Sequence, residues 1–147
     1  MPNATGLIKF FESCRLEAYL DSRGYPTIGW GKKDSTVHLG NGCTQEQADA
    51  WLARDVATAT RMAASDLGAA WLSLDAVRQA ALISMSYQLG GAGLAGFRRM
   101  LDAVEVKNWA EAKKQAILSD WAKETPKRAE IEAEMLLTGE WPVGIPS

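Results

Sequence analysis

Two carboxyl side chains near the start of the chain stand in different surroundings. Glu12 ends an apolar segment, GLIKFFES, whereas Asp21 lies in a polar stretch, LDSRGYP. Partial burial would favour the protonated form of Glu12, and a polar loop would leave Asp21 ionised. A protonated acid and an ionised carboxylate are the pair that hydrolysis of a glycosidic bond requires. Since most acidic residues are solvated surface groups, these two alone favour the simpler interpretation.

A longer pattern surrounds both carboxyls. The segment ESCRLEAYLDSRGYPTIGWG contains Glu12, eight residues, Asp21, five residues and Thr27. It resembles the catalytic signature of the phage lysozymes, glycoside hydrolase family 24. The resemblance continues through SLDAVRQAALISMSYQLGGAGLAGF and WAEAKKQAILSDWAKETPKRA and ends at TGEW, so it covers nearly the whole chain.

The resemblance implies a role for each residue of the signature. Glu12 would be the general acid, Asp21 the catalytic carboxylate, and Thr27 a hydroxyl beside the site of a water molecule. A threonine hydroxyl can donate to a carboxylate and accept from a water at once, which orients that water. Without the resemblance, Thr27 would be interpreted as an ordinary β-branched strand residue.

Four further positions have supporting or substrate-binding roles by the same resemblance. Arg128 would pair with Glu12, and Gln88 would lie in the cleft near the same carboxyl. Tyr87 falls where the family has an aromatic that contacts sugar, and Lys33 is a further supporting position. A solvated arginine, a helix-end glutamine and a core aromatic remain the alternatives for the first three.

Some positions depart from the family pattern. The family usually pairs a histidine with an aspartate in the long helix, where this chain has Lys32 and Asp55. We expect these two to form a modest surface ion pair. The loop over residues 32–42 is short for the family, so contacts with outlying sugars should differ.

Composition excludes several classes of protein. The chain has 147 residues, 47% of them hydrophobic, and a formal charge of −2 that is nearly balanced along its length. No basic face is evident, so nucleic acids are not expected partners. No apolar stretch predicts a signal peptide or membrane insertion. His38, the single histidine, is expected to be an exposed bystander, and no metal site is predicted. Cys14 and Cys43 are expected to be small buried hydrophobes, with a disulfide left open.

Helices dominate the predicted elements. Residues 3–14 form a short amphipathic helix that stops near Arg15, and residues 16–30 suit a hairpin with Asp21 at its first shoulder. Residues 32–42 are a loop or a short third strand. Thr44 and Gln47 form a capping box that starts a long helix to about residue 64. Further helices are predicted at 74–89, 94–101, 109–122 and 126–137, the last stopped by Gly139.

These elements predict an α+β, mostly helical, lysozyme-like single domain. A small β-hairpin lobe, about 12–60, would be joined by the long helix to a helical lobe of residues 61–147 that also includes helix 3–11. The active-site cleft would lie between the two lobes.

By resemblance, the chain is a cofactor-free endolysin or muramidase acting on the β-1,4 bond of peptidoglycan. We expect a monomer that stays in the host cytoplasm until a holin opens a route to the periplasmic wall. A catalytically silent wall-binding protein and a hydrolase of chitin or chitosan are the alternatives.

Overall fold

The computed structural model describes residues 1–146. They form seven α-helices, one 3-10 helix and one two-stranded antiparallel sheet. In chain order the elements are α1 (Ala4–Phe11), β1 (Arg15–Leu20), β2 (Pro26–Gly29), α2 (Gln45–Leu67), the 3-10 helix (Gly68–Ser73), α3 (Ala76–Ala95), α4 (Arg98–Glu105), α5 (Trp109–Ile117), α6 (Asp120–Glu124) and α7 (Pro126–Thr138). The α+β, mostly helical class predicted from the sequence is confirmed.

Helix α1 is shorter than predicted and ends directly before the candidate acid. Asn3 Oδ1 caps it by accepting a hydrogen bond from the Gly6 N–H at 2.8 Å. At its carboxyl end Glu12 already has extended backbone angles, φ −98° and ψ 131°. The predicted helix over 3–14 was therefore too long, because the chain turns into β1 immediately after Glu12.

The hairpin forms with Tyr19 opposite Thr27 and with Leu20 opposite Pro26. Its register shifts between residues 15 and 19, which gives β1 a bulge. Of the two alternatives predicted for residues 32–42, a loop or a short third strand, the structure shows the loop. It pairs with the hairpin only through isolated bridges, Glu17 with Gly42 and Ile28 with Lys32.

Helix α2 begins as predicted and runs three residues further than expected. The Thr44 side chain accepts from the Gln47 N–H at 3.0 Å, and the Gln47 side chain accepts from the Thr44 N–H at 2.9 Å. This capping box satisfies two N–H groups that a helix start leaves free. Helix α2 packs against both β2 and α3, so it connects the hairpin to the helical part of the chain.

The helical part differs from its prediction at several places. Helix α3 runs to Ala95 rather than to 89, and the 3-10 helix Gly68–Ser73 was not predicted. The segment 109–122 is two helices, because the Ser119 hydroxyl donates to the Ala116 carbonyl at 2.7 Å and caps α6 by accepting from the Ala122 N–H. Helix α4 begins at Arg98 rather than at 94, after a turn in which the Phe97 N–H donates to the Leu94 carbonyl. The stop at Gly139 is confirmed, with φ +70°.

One hydrophobic core joins α1, α2, α3, α4, α5 and α7. Its largest fully buried apolar side chains are Leu7, Ile8, Leu52, Leu82, Met85, Leu94, Met100, Val104, Met135 and Leu136. Because α1 packs against α3, and α3 against α7, the carboxyl end of α1 lies beside the helical core. The division into lobes at 12–60 and 61–147 stays a prediction.

Candidate active site

Glu12 is half-buried at the junction between α1 and the hairpin. Its N–H closes α1 by donating to the Ile8 carbonyl at 2.8 Å, and its side chain is 24% exposed. Gly31 lies against the carboxyl group: a Cβ atom at Gly31 would stand 2.5 Å from Glu12 Oε2. Gly31 also has φ +85°, so no other residue fits there without strain.

Arg128, on α7, is the charged partner of Glu12. Its Nη1 donates to Glu12 Oε1 at 2.9 Å, and its Nη2 donates to Ser84 Oγ at 2.9 Å and to the Ser84 carbonyl at 3.3 Å. The guanidinium carbon lies 4.7 Å from the centre of the Phe11 ring. Arg128 is itself buried, so this pairing is far less screened than a surface ion pair.

A second carboxyl group shares the same arginine. Glu132 is fully buried on α7, and its Oε1 accepts a hydrogen bond from Arg128 Nε at 3.4 Å and another from the Ser84 hydroxyl. Its Oε2 has no hydrogen-bond partner within residues 1–146. Burial raises the pKa of Glu132 to about 7, although Arg128 and Ser84 oppose that rise.

Asp21 has a different environment at the hairpin turn. Lys33 Nζ donates to its Oδ2 at 2.7 Å, and the N–H groups of Arg23 and Tyr25 donate to its Oδ1 at 2.9 and 2.8 Å. The Lys33 hydrogen bond, followed by the backbone donors, lowers the pKa of Asp21 to about 2. Asp21 is therefore an anion at any neutral pH.

Thr27 is buried in β2, and its hydroxyl donates to the Tyr25 carbonyl at 2.9 Å. The hydroxyl therefore donates to a backbone carbonyl two residues away and not, as the resemblance implies, to a carboxylate. The oxygen of Thr27 still has lone pairs with which it can accept from a water.

Tyr87 connects the hairpin to α3. Its hydroxyl donates to the Trp30 carbonyl at 2.5 Å, and burial is the largest cause of its raised pKa. The ring lines a cavity of about 260 Å³ together with Gly31, Lys32, Asp55, Thr58, Ala59, Met62, Ser86 and Gly90. Because Gly31 contacts both the cavity and Glu12, this hollow adjoins the candidate acid.

Gln88 is engaged with Trp121. Its Oε1 accepts from the indole N–H at 2.8 Å, and no hydrogen bond among residues 1–146 joins it to Glu12. Trp121 also packs edge-on against Phe97. Both aromatics line a larger cavity, about 650 Å³, whose lining includes neither Glu12 nor Asp21.

The predicted pair of Lys32 with Asp55 is wrong. Lys32 Nζ binds Asp34 Oδ2 at 2.5 Å and stands 5.6 Å from the Trp51 ring centre, whereas Asp55 contacts Arg54 at 3.5 Å. The Asp34 carboxylate is two residues along the same loop, so it is the easier partner for Lys32 to reach.

The single histidine and the two cysteines lie outside the group of residues around Glu12 and Asp21. His38 is exposed, as predicted. Cys14 and Cys43 are free thiols that are only partly buried, so the expectation that both are buried is wrong. None of the helices in residues 1–146 is both long enough and apolar enough to cross a bilayer. The same residues contain no group of three or more His, Cys, Asp and Glu side chains arranged to hold a metal ion.

Sequence reasoning missed three residues of the site. Gly31 was quoted only as part of the signature, although a glycine next to a functional motif often marks close approach of another group. Ser84 and Glu132 gave weaker signals: the four-residue spacing of Arg128 and Glu132 allows an ion pair on a helix, but it does not reveal burial.

Comparison with known proteins identifies the family of the chain. A family profile described as phage lysozyme matches residues 9–133, a range that contains Glu12, Asp21 and Arg128. The chain is 28% identical to a probable T4-type lysozyme 1 of Dictyostelium discoideum, over 90% of this chain and 92% of that protein. It is 32% identical to the pre-baseplate central spike protein Gp5 of Enterobacteria phage T4, over 87% of this chain but only 26% of that protein. A shorter match, 41% identical over 38% of each chain, is to an endolysin of Acyrthosiphon pisum secondary endosymbiont phage 1.

Proposed function

Because this chain belongs to the phage lysozyme family of peptidoglycan-degrading glycoside hydrolases, we propose that it cleaves the β-1,4 bond between N-acetylmuramic acid and N-acetylglucosamine. The observation that carries the proposal is the contrast between two carboxyl groups. Glu12 is half-buried, and among residues 1–146 its carboxyl group accepts a hydrogen bond only from the buried Arg128, whereas the Asp21 carboxylate accepts from two backbone N–H groups and a lysine. Such different environments suit an acid and an anion.

In the reaction, Glu12 protonates the glycosidic oxygen as the bond to the anomeric carbon breaks. Asp21 remains ionised and accepts a proton from a water that attacks the same carbon from the opposite face. Thr27 accepts a hydrogen bond from that water and orients it. Each group therefore has one task, and no cofactor takes part.

The same proposal places the enzyme in lysis of a bacterial host. The chain would act as a monomer, remain in the host cytoplasm until a holin opens the membrane, and then reach the periplasmic wall. The named endolysin relative supports this setting, since an endolysin needs such a route to its substrate.

The test is digestion of purified peptidoglycan followed by mass spectrometry of the products. We expect fragments with reducing N-acetylmuramic acid ends, and no digestion of chitin or chitosan. Glu12→Gln keeps the size of the side chain but cannot supply a proton, so hydrolysis should fall by about two to four orders of magnitude. Glu17→Gln, an exposed glutamate on β1, is the matched control and should retain activity.

The outcomes separate the competing functions. Release of reducing N-acetylglucosamine ends would refute the proposed bond, and faster hydrolysis of chitin would identify a different substrate. Binding to the wall without product formation would indicate a silent wall-binding protein. A folded Glu12→Gln variant with near wild-type activity would show that Glu12 is not the acid.

A further inference from the structure

Glu132 takes no part in the proposed reaction, although it is a fully buried carboxyl group close to the candidate acid. A fully buried carboxyl group lowers the stability of the fold unless it is neutral or fully paired. Glu132 has one oxygen bound to Ser84 and Arg128, and the other has no partner. Its negative charge is therefore only partly compensated by the groups around it.

Arg128 is the link between this buried carboxyl and the acid. Its Nη1 binds Glu12, and its Nε binds Glu132 on the opposite side of the guanidinium. One positive charge cannot neutralise two carboxylates. When Glu132 is ionised, the guanidinium therefore stabilises an ionised Glu12 less than it does when Glu132 carries a proton.

No other described cation contacts Glu132. The neutral Ser84 on α3 donates a hydrogen bond to it, and Glu12 at the end of α1 interacts with it electrostatically. On the neighbouring α5, Lys113 is paired with Glu134 at 2.7 Å on the exposed side of α7. On α6, the charged side chains of Asp120, Lys123 and Glu124 are exposed. Arg128 is thus the cation through which Glu132 and Glu12 act on each other.

We propose that Glu132 is a positioning residue that holds Arg128 and, when ionised, raises the proton affinity of Glu12 in the substrate complex. Covering Glu12 with sugar removes its remaining water and favours its acid form. A neighbouring negative charge on the shared arginine favours that form further. Glu132 thereby extends to higher pH the range over which Glu12 can donate a proton.

The test is the pH dependence of kcat on a soluble peptidoglycan fragment. Glu132→Gln keeps the shape of the side chain and an oxygen for Ser84 and Arg128 but cannot ionise. Above about pH 7, where Glu132 is ionised, the fall of kcat at alkaline pH (its alkaline limb) should lie at lower pH in Glu132→Gln than in wild type, by up to on the order of one unit. Below that pH the two proteins should have similar profiles. Glu134→Gln removes an equal charge from the exposed side of the same helix, and its limb should stay within about 0.2 units of wild type.

Other results would overturn this role. An unchanged limb in Glu132→Gln, or a uniform loss of kcat at every pH, would show that Glu132 is only structural. If Glu132→Gln does not fold, Ser84→Ala decides. That variant removes a donor that favours ionised Glu132 and an acceptor that competes for Arg128, so its limb should also move to lower pH. An unmoved limb there refutes the role.

This role depends on the proposed function, since it assumes that Glu12 is the acid. A substrate-free measurement separates the two failures. In the carbon-13 NMR titration of wild type, the Glu12 carboxyl signal should show a second step as Glu132 ionises, and Glu132→Gln should remove that step. Absence of the step in wild type refutes the coupling, whatever the enzyme does to peptidoglycan.

Discussion

The buried carboxyl of Glu132 makes the stability of the folded chain depend on pH in a predictable direction. Burial raises its pKa from an ordinary 4.5 to about 7. Below the pKa of the unfolded state, both states carry the proton, so the group does not make the free energy of unfolding depend on pH. Between the two values the folded state holds a proton that the unfolded state has lost, so stability falls as pH rises.

The magnitude follows from that shift. Each pKa unit corresponds to about 1.4 kcal/mol, so ionisation of Glu132 should remove about 3 kcal/mol of stability by about pH 8. Glu132→Gln cannot ionise and should lack this loss. The variant should also be less stable than wild type by a constant amount at every pH. The N–H groups of the introduced amide would have no acceptor at the position that Oε2 occupies in wild type.

The measurement is urea unfolding of both proteins from about pH 4 to about pH 9, with the difference in free energy of unfolding plotted against pH. The difference should change in favour of the variant by about 3 kcal/mol, mostly between about pH 5 and pH 7. Exposed groups far from Glu132 contribute equally in both proteins and cancel in the difference. A difference that stays flat over this range would mean that Glu132 ionises as easily in the folded chain as in the unfolded one, and the reasoning from burial would fail.

Three further results are expected. Arg128→Ala removes the cation beside Glu12, so the alkaline limb of activity should move to higher pH; an unchanged limb, measured on a soluble substrate at constant ionic strength, would contradict this. Lys33→Ala removes the main cause of the low pKa of Asp21, so the pH below which activity falls should rise. The rise should be less than about one pH unit, because Lys33 is 47% exposed and two backbone donors remain. If Asp21 and Thr27 hold the attacking water, the enzyme inverts, and proton NMR before mutarotation should detect the α-anomer first; an initial β-anomer would refute this role.

Much of the fold could be predicted because its signals are local. The capping box of Thr44 with Gln47 depends on two residues and their backbone, and Gly139 stops α7 through its own dihedral angles. The break at Ser119 was missed because serine is tolerated inside a helix as well as at a cap. Helix α4 was placed too early because an apolar run continues from α3 across the turn at Phe97.

The candidate site was predictable where its residues belong to one motif or pair with it. The signature identified Glu12 and Asp21, and the ion pair of Glu12 with Arg128, 116 residues later in the chain, followed only from resemblance. Lys32 was assigned the wrong partner because its reach depends on the path of a short loop. The burial of Glu132 depends on how α7 packs against α3, and the surrounding letters, KRAEIEAE, look like those of an exposed helix.

The groups that contact the two carboxyls support the proposed roles by an argument that does not depend on the motif. Asp21 accepts two backbone N–H groups, which cannot lose their protons, so it stays ionised even when Lys33 swings into solvent. Among residues 1–146, Glu12 accepts no backbone N–H and receives only the guanidinium of Arg128, whose charge is shared with Glu132. The first carboxyl is therefore held as an anion by fixed dipoles, whereas the second contacts a cation whose charge is shared with Glu132. This difference supports the proposal that Asp21 is the anion of the reaction and Glu12 the acid.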